Sequence, residues 1–132
     1  ITWTVGTSPN TELVNTMLDN AIVLLKENEH PIVHSDRGCH YRWSGWIQRM
    51  DEAGLTRSMS KKGCSPDNSA CEGFFGRMKN EMFYGFEKDY HSFEAFSKAI
   101  AEYIDYYNNS RIQAKTKWMP PSKFREASMM EA

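Results

Sequence analysis

The stretch SPNTELVNTMLDNAIVLL, residues 8–25, sets Val14, Met17, Leu18, Ala21, Ile22 and Leu25 at three- and four-residue spacing. Side chains so spaced form one apolar stripe on an α-helix, which must be buried against another element. Ser8 is placed to cap this helix, with Pro9 in its first turn. On either side lie short β-branched runs, ITWTV at residues 1–5 and PIVHS at 31–35, each the length of a strand. A strand, a long amphipathic helix and a second strand predict a layered α/β domain.

The alternation continues. A helix is expected from about Arg42, with Trp46, Ile47 and Met50 inward and Gly54 ending it, and then a third strand over Leu55 to Met59. Lys61 to Pro66 reads as a polar loop, and Asp67 or Ser65 is placed to cap a helix running to about Phe83. A last long helix is expected over Phe93 to Tyr107, where Phe93, Phe96, Ile100, Tyr103 and Tyr107 recur at helical spacing. Those aromatics read as core in preference to a base-stacking platform.

With 132 residues, 40% of them hydrophobic, the chain has the size of one domain with a real core. Its net charge of -1 conceals an asymmetry: residues 1–56 hold four Lys/Arg and seven Asp/Glu, and residues 57–132 hold twelve and ten. The basic excess is densest at Arg111, Lys115, Lys117, Lys123 and Arg125, with no acid between them, and Arg57, Lys61, Lys62, Arg77 and Lys79 add to it. Such clusters suit a polyanion, although runs of this kind also occur as solvated surface. Cys39, Cys64 and Cys71 lack paired disulfide spacing, and neither a secretory signal nor a membrane-length apolar run is present, so a cytoplasmic protein is expected. A zinc site drawn from His34, Cys39, His40, Cys64 and Cys71 has no C-x-x-C or H-x-x-x-H element behind it. The chain begins at Ile1, inside an expected strand, and is expected to be a piece of a longer protein.

Two carboxylates stand out. Asp36 follows the 31–35 strand directly, in HSDRGCHY, and chemistry in α/β layers gathers at such strand ends. It could equally just open a turn. Glu72 lies near the start of the fourth expected helix, where a glutamate also suits the helix dipole. Asn68, Glu72 and Lys79 are spaced by four and seven and so share one helical face. Glu72 and Lys79 would then stand roughly 10 Å apart along the axis, too far for an ion pair. His34, two residues before Asp36, shares its strand face and is either a supporting residue or a structural histidine.

Thirty-five residues separate Asp36 from Glu72, and Lys79 follows seven positions later. This spacing resembles the DDE transposases and retroviral integrases. Three blocks, HSDRGCHY, SMSKKGCSPDNSACEGFFGRMKNEMFY and YIDYYNNSRIQAKTKWMPPSKFR, look like the transposase of the bacterial insertion-sequence-three family, over nearly the whole chain. The resemblance implies a ribonuclease-H-like core, Mg2+ or Mn2+, and DNA strand cleavage and joining in transposition. Asp36 and Glu72 would be the catalytic, metal-binding carboxylates, Asn68 and His34 their supports, and Lys79, Lys61, Lys62, Arg111 and Lys115 the contacts to DNA. Two ions roughly 4 Å apart would serve attack and departure at a phosphodiester.

By the same resemblance the family's first aspartate lies upstream of ITWTV. Residues 1–110 would then be an N-terminally truncated catalytic core lacking its first strands, and 111–132 a basic tail of the same domain. Of the five strands expected in the order 3-2-1-4-5, ITWTV, PIVHS and LTRSM would be the third, fourth and fifth. ITWTV is expected either to pair with the Asp36 strand or to be exchanged with a second copy, giving a homo-oligomer. Two other readings stay open: a DNA-binding or assembly module that uses no metal, and an unrelated α/β hydrolase or nuclease with coincident spacing.

Overall fold

The computed structural model describes residues 2–63 and 65–132. Its first helix, α1 (Thr11–Val23), is capped by Asn10, whose side-chain oxygen accepts the Leu13 N–H at 2.9 Å. The cap therefore falls two residues after the expected Ser8. Both residue types cap well, and the one in reach of the third helical amide takes the role. The predicted stripe does face inward: Leu18 is buried, with Val14, Met17, Ile22 and Leu25 packed around it.

The segment expected as the first strand is not one. Thr2–Val5 carry no strand pairing, and Ile1 lies outside the described residues. Instead the Thr4 hydroxyl donates to the Leu13 carbonyl at 2.8 Å and the Thr2 hydroxyl to that of Met17 at 3.2 Å, which lays the segment along α1. β-Branched composition expresses strand preference only where a neighbouring strand is available to pair. The expected direct pairing with the Asp36 strand is likewise absent among the described residues.

Strands β1 (Ile32–Ser35) and β2 (Thr56–Met59) form a parallel pair in which His34 stands opposite Ser58. Parallel neighbours need a long crossover. Here it comprises a 3-10 turn, Cys39–Arg42, and helix α2 (Ser44–Glu52), which starts two residues later than expected. Gly54, at φ +65°, ends α2: its N–H reaches the Asp51 carbonyl at 3.1 Å, and that of Leu55 reaches Met50 at 2.9 Å. These are the paired bonds of a glycine-terminated helix. Trp46, Met50 and Leu55 close over Leu18, and each such side chain removed from water contributes about 1.5–3 kcal/mol.

The chain divides into two compact units, Ile1–Glu72 and Gly73–Ala132. A 3-10 turn, Ser65–Asn68, leads into α3 (Ser69–Met78), which ends five residues before the expected Phe83. A π-helical turn, Lys79–Phe83, replaces the remainder, closed by the Tyr84 N–H on the Lys79 carbonyl at 2.7 Å. Helix α4 (Phe93–Asn109) is capped by Ser92 and buries Ile100, Tyr103 and Ile104, whereas Phe93 remains exposed. Phe74 packs against Tyr103 and Tyr107, so the aromatic stripe is largely core, as its spacing predicted. A fifth helix, α5 (Pro121–Met130), went unforeseen, although Pro121 stands in its first turn, where proline is favoured. The Ser122 hydroxyl ties it to the Asn108 carbonyl of α4 at 2.8 Å. Residues after 110 thus belong to the same unit as α4.

Candidate functional site

Asp36 follows the last residue of β1 and does open a turn: its Oδ1 accepts the Gly38 N–H at 2.7 Å. The fit is close, since a Cβ at Gly38 would stand 2.9 Å from that oxygen. The turn and the site readings are compatible. Oδ2 has no hydrogen-bond partner among the described residues, and the residue is exposed. The turn fixes the carboxylate while leaving one oxygen unengaged among the described residues.

Tyr41, packed against the core and edge-on to Trp46 at 5.0 Å, lies within electrostatic reach of both Asp36 and Cys71. Burial first, and then electrostatic interaction with Asp36 and Cys71, push its phenol above the ordinary range. Cys71 is the neighbour of Glu72 on α3, so the end of β1 and the first turn of α3 act on one phenol. Glu72 is exposed, without an ion pair or hydrogen bond among the described residues. Asn68 is half-buried in the 3-10 turn before α3, so the expected four-residue helical step from Asn68 to Glu72 begins outside the α-helix.

Both ring nitrogens of His34 are engaged, Nδ1 with the Ser58 hydroxyl at 2.9 Å and Nε2 with that of Ser60 at 3.1 Å. The ring is a clip from β1 to β2 and the residue after it. Lys61 and Lys62 are exposed beyond β2, and the Lys61 N–H is held by Asp67 at 3.2 Å. Asp67 therefore anchors the loop. Lys79 is exposed in the π-helical turn, and Lys115 is exposed in a 3-10 turn, Ala114–Thr116.

Arg111 differs from the other expected DNA contacts. Its guanidinium grips Glu81, with Nε at 2.9 and 3.0 Å from the two oxygens and Nη2 at 2.5 Å from Oε1. Tyr103 donates to the same carboxylate at 2.8 Å. The bond from Arg111 is the chief reason that Glu81 is held below its ordinary carboxyl range. A carboxyl lowered in the folded state adds stability that is complete above its ordinary value near 4.5 and is lost as pH falls through the lowered one. The contribution is on the order of 1 kcal/mol for a two-pronged pair still partly in water. Glu81→Gln is expected to flatten the loss of thermal stability between neutral and acid pH; equal acid sensitivity in parent and variant would remove the pair from the account. No sequence signal joined Glu81 to Arg111, thirty residues apart.

The donor set can be tested against a metal. Mg2+ takes hard oxygens, keeps several waters, and needs only one or two carboxylates beside a substrate phosphate. Asp36 and Glu72 are hard-oxygen donors of that kind, and both are exposed. Among the described residues no three His, Cys, Asp or Glu side chains gather as a metal site, and so none supports the zinc alternative; Cys64 lies outside those residues. Nor is any described helix long and apolar enough to cross a membrane.

Comparison with known proteins bears on the same segment. The family described as "Integrase core domain" matches residues 72–129. The chain is 51% identical over 127 residues to a Shigella flexneri protein named "Probable transposase for insertion sequence element IS1353", covering 96% of this chain and 25% of that protein. It is 43% identical over 129 residues to an "Uncharacterized transposase-like protein" of Haemophilus influenzae, covering 98% and 58%. Against the Escherichia coli "Transposase InsF for insertion sequence IS3A" it is 28% identical over 130 residues, covering 98% and 44%. The chain thus spans between a quarter and six-tenths of the length of these relatives.

Proposed function

We propose that the chain belongs with the insertion-sequence transposases that carry an integrase core domain, and that it contributes to metal-dependent DNA strand cleavage and joining in transposition. The observation that carries this reading is Asp36, fixed at the end of β1 with one oxygen unengaged, while the first turn of α3 presents Glu72. Mg2+ or Mn2+ held by these carboxylates would activate a water or 3′-hydroxyl and stabilise the leaving oxygen. The remaining roles fall to the chain's own groups. Asp36 is oriented by the Gly38 turn, and His34 keeps β1 and β2 in register beneath it. Asn68 precedes α3 and would steady the approach to Glu72.

Lys79, Lys61, Lys62 and Lys115 would hold phosphates as point charges. Arg111, already paired with Glu81, would serve by bracing the unit that carries Lys79 and Lys115. We further propose a ribonuclease-H-like arrangement for the whole catalytic core, of which β1 and β2 are adjacent strands, and a homo-oligomeric, cytoplasmic protein acting on mobile-element ends and target DNA.

The DNA-binding part is tested by titrating duplex DNA at several salt concentrations. Lys79→Ala is expected to weaken binding and to reduce the slope of log K against log salt by about 0.9, one phosphate's worth. An unchanged slope would return Lys79 to ordinary solvated surface.

A further inference from the structure

Trp118 is 68% exposed, in a chain where Trp46 is 3% exposed. It also sits in a conformation that bulky side chains avoid. Lys117 at φ 51° and Trp118 at φ 62° are the two non-glycine residues with positive φ among the described residues. Two consecutive left-handed residues are unfavourable for L-amino acids, and such geometry persists only where its surroundings enforce it.

Here they do. Gln113 and Met119 form an antiparallel bridge across the turn, and the Trp118 N–H reaches the Gln113 carbonyl at 2.9 Å. The Thr116 hydroxyl sits within reach of both the Gln113 and Met119 carbonyls, at 3.1 and 2.5 Å. At its base the Gln113 side chain accepts from Arg77 of α3 at 2.6 Å. Pro120 and Pro121 stiffen the exit into α5. The turn is thus a rigid mount that holds an indole out into solvent.

Its charge surroundings have one sign. No acidic residue occurs from Tyr106 to Arg125. Within that stretch Arg111 is paired with Glu81 and Lys123 with Glu126, while Lys115 and Lys117, which precede Trp118 in the same turn, are exposed and without an ion pair among the described residues. A fixed, exposed aromatic face with two unpaired lysines in the same turn complements a flat base next to a phosphate. In duplex DNA the base faces are covered by stacking.

We propose that the Lys115–Trp118 turn is a contact for unpaired DNA, with Trp118 stacking on an exposed base and Lys115 and Lys117 holding the adjoining phosphates. It rests on the DNA reading above and deepens it, adding a site for single-stranded or locally opened substrate.

The test uses the 132-residue chain with labelled oligothymidine, the same strand lacking bases, and a duplex of equal length. Trp118→Ala is expected to weaken oligothymidine binding about 5- to 100-fold and to change duplex affinity less than about twofold. The parent should bind the baseless strand as weakly as Trp118→Ala binds oligothymidine. Trp118→Phe should keep affinity within about threefold, because a phenyl ring still stacks, yet lose the indole quenching seen when the parent is saturated. That last variant decides the matter if Trp118→Ala does not fold. Equal oligothymidine binding by the parent and Trp118→Ala, or quenching that survives in Trp118→Phe, overturns the stacking site while leaving the DNA reading standing. A parent that binds neither strand form overturns both.

Discussion

Glu72→Gln, made in a transposase that carries this segment at the length of its relatives, is expected to cut DNA strand cleavage about a thousandfold while leaving DNA affinity within about threefold. The amide keeps the size and shape of the carboxylate but not the charge that a divalent cation requires. Several kcal/mol of charge stabilisation would be lost, and each 1.4 kcal/mol or so is a factor of ten in rate. Folding should be untouched, because Glu72 is exposed and makes no ion pair or hydrogen bond among the described residues. Asp36→Asn is expected to act in the same direction, and its amide oxygen can still accept the Gly38 N–H, so the turn survives. In the 132-residue chain itself, weak Mn2+ binding followed by electron paramagnetic resonance should be lost in either variant. Cleavage within about tenfold of the parent would reject Glu72 as a metal ligand.

The largest effect on stability is expected at Met50, which is 0% exposed and lies in the cluster of Leu18, Trp46 and Leu55. Met50→Ala removes three heavy atoms from a closed core and should cost about 2–5 kcal/mol, the transfer energy plus the cavity left behind. Met50→Leu, nearly equal in volume, should cost less than about 1.5 kcal/mol. Met129→Ala is the control, since Met129 is 68% exposed. Urea unfolding followed by tryptophan fluorescence reads the unit that contains them, since three of the four tryptophans, Trp3, Trp43 and Trp46, lie in it. A loss under about 1 kcal/mol for Met50→Ala would mean that α2 collapses into the gap. The consequence reaches the site, because α2 lies in the crossover from β1, which Asp36 follows, to its parallel partner.

These two residues also mark how far the sequence could be read. Met50 was legible because burial follows periodicity, and Trp46, Met50 and Leu18 all fall on their predicted stripes. Gly54 was legible because a helix end that needs a left-handed residue selects glycine. Asp36 and Glu72 were legible as candidates through the motif blocks around them. The turn geometry that frees one oxygen of Asp36 was not, since it depends on a contact of 2.7 Å.

The placement of α1, α2 and α4 and their inward faces was determined by the sequence alone, because hydrophobic spacing and terminating residues act within a few positions of themselves. Whether ITWTV pairs as a strand, whether Arg111 is available to a phosphate, and where Trp118 points were decided only by tertiary structure. Each depends on a partner remote in the chain: a neighbouring strand for Thr2–Val5, Glu81 for Arg111, and for Trp118 the Gln113 anchor on Arg77. A strand preference goes unexpressed without a partner strand, and a cation's role changes once a carboxylate thirty residues away takes both of its prongs.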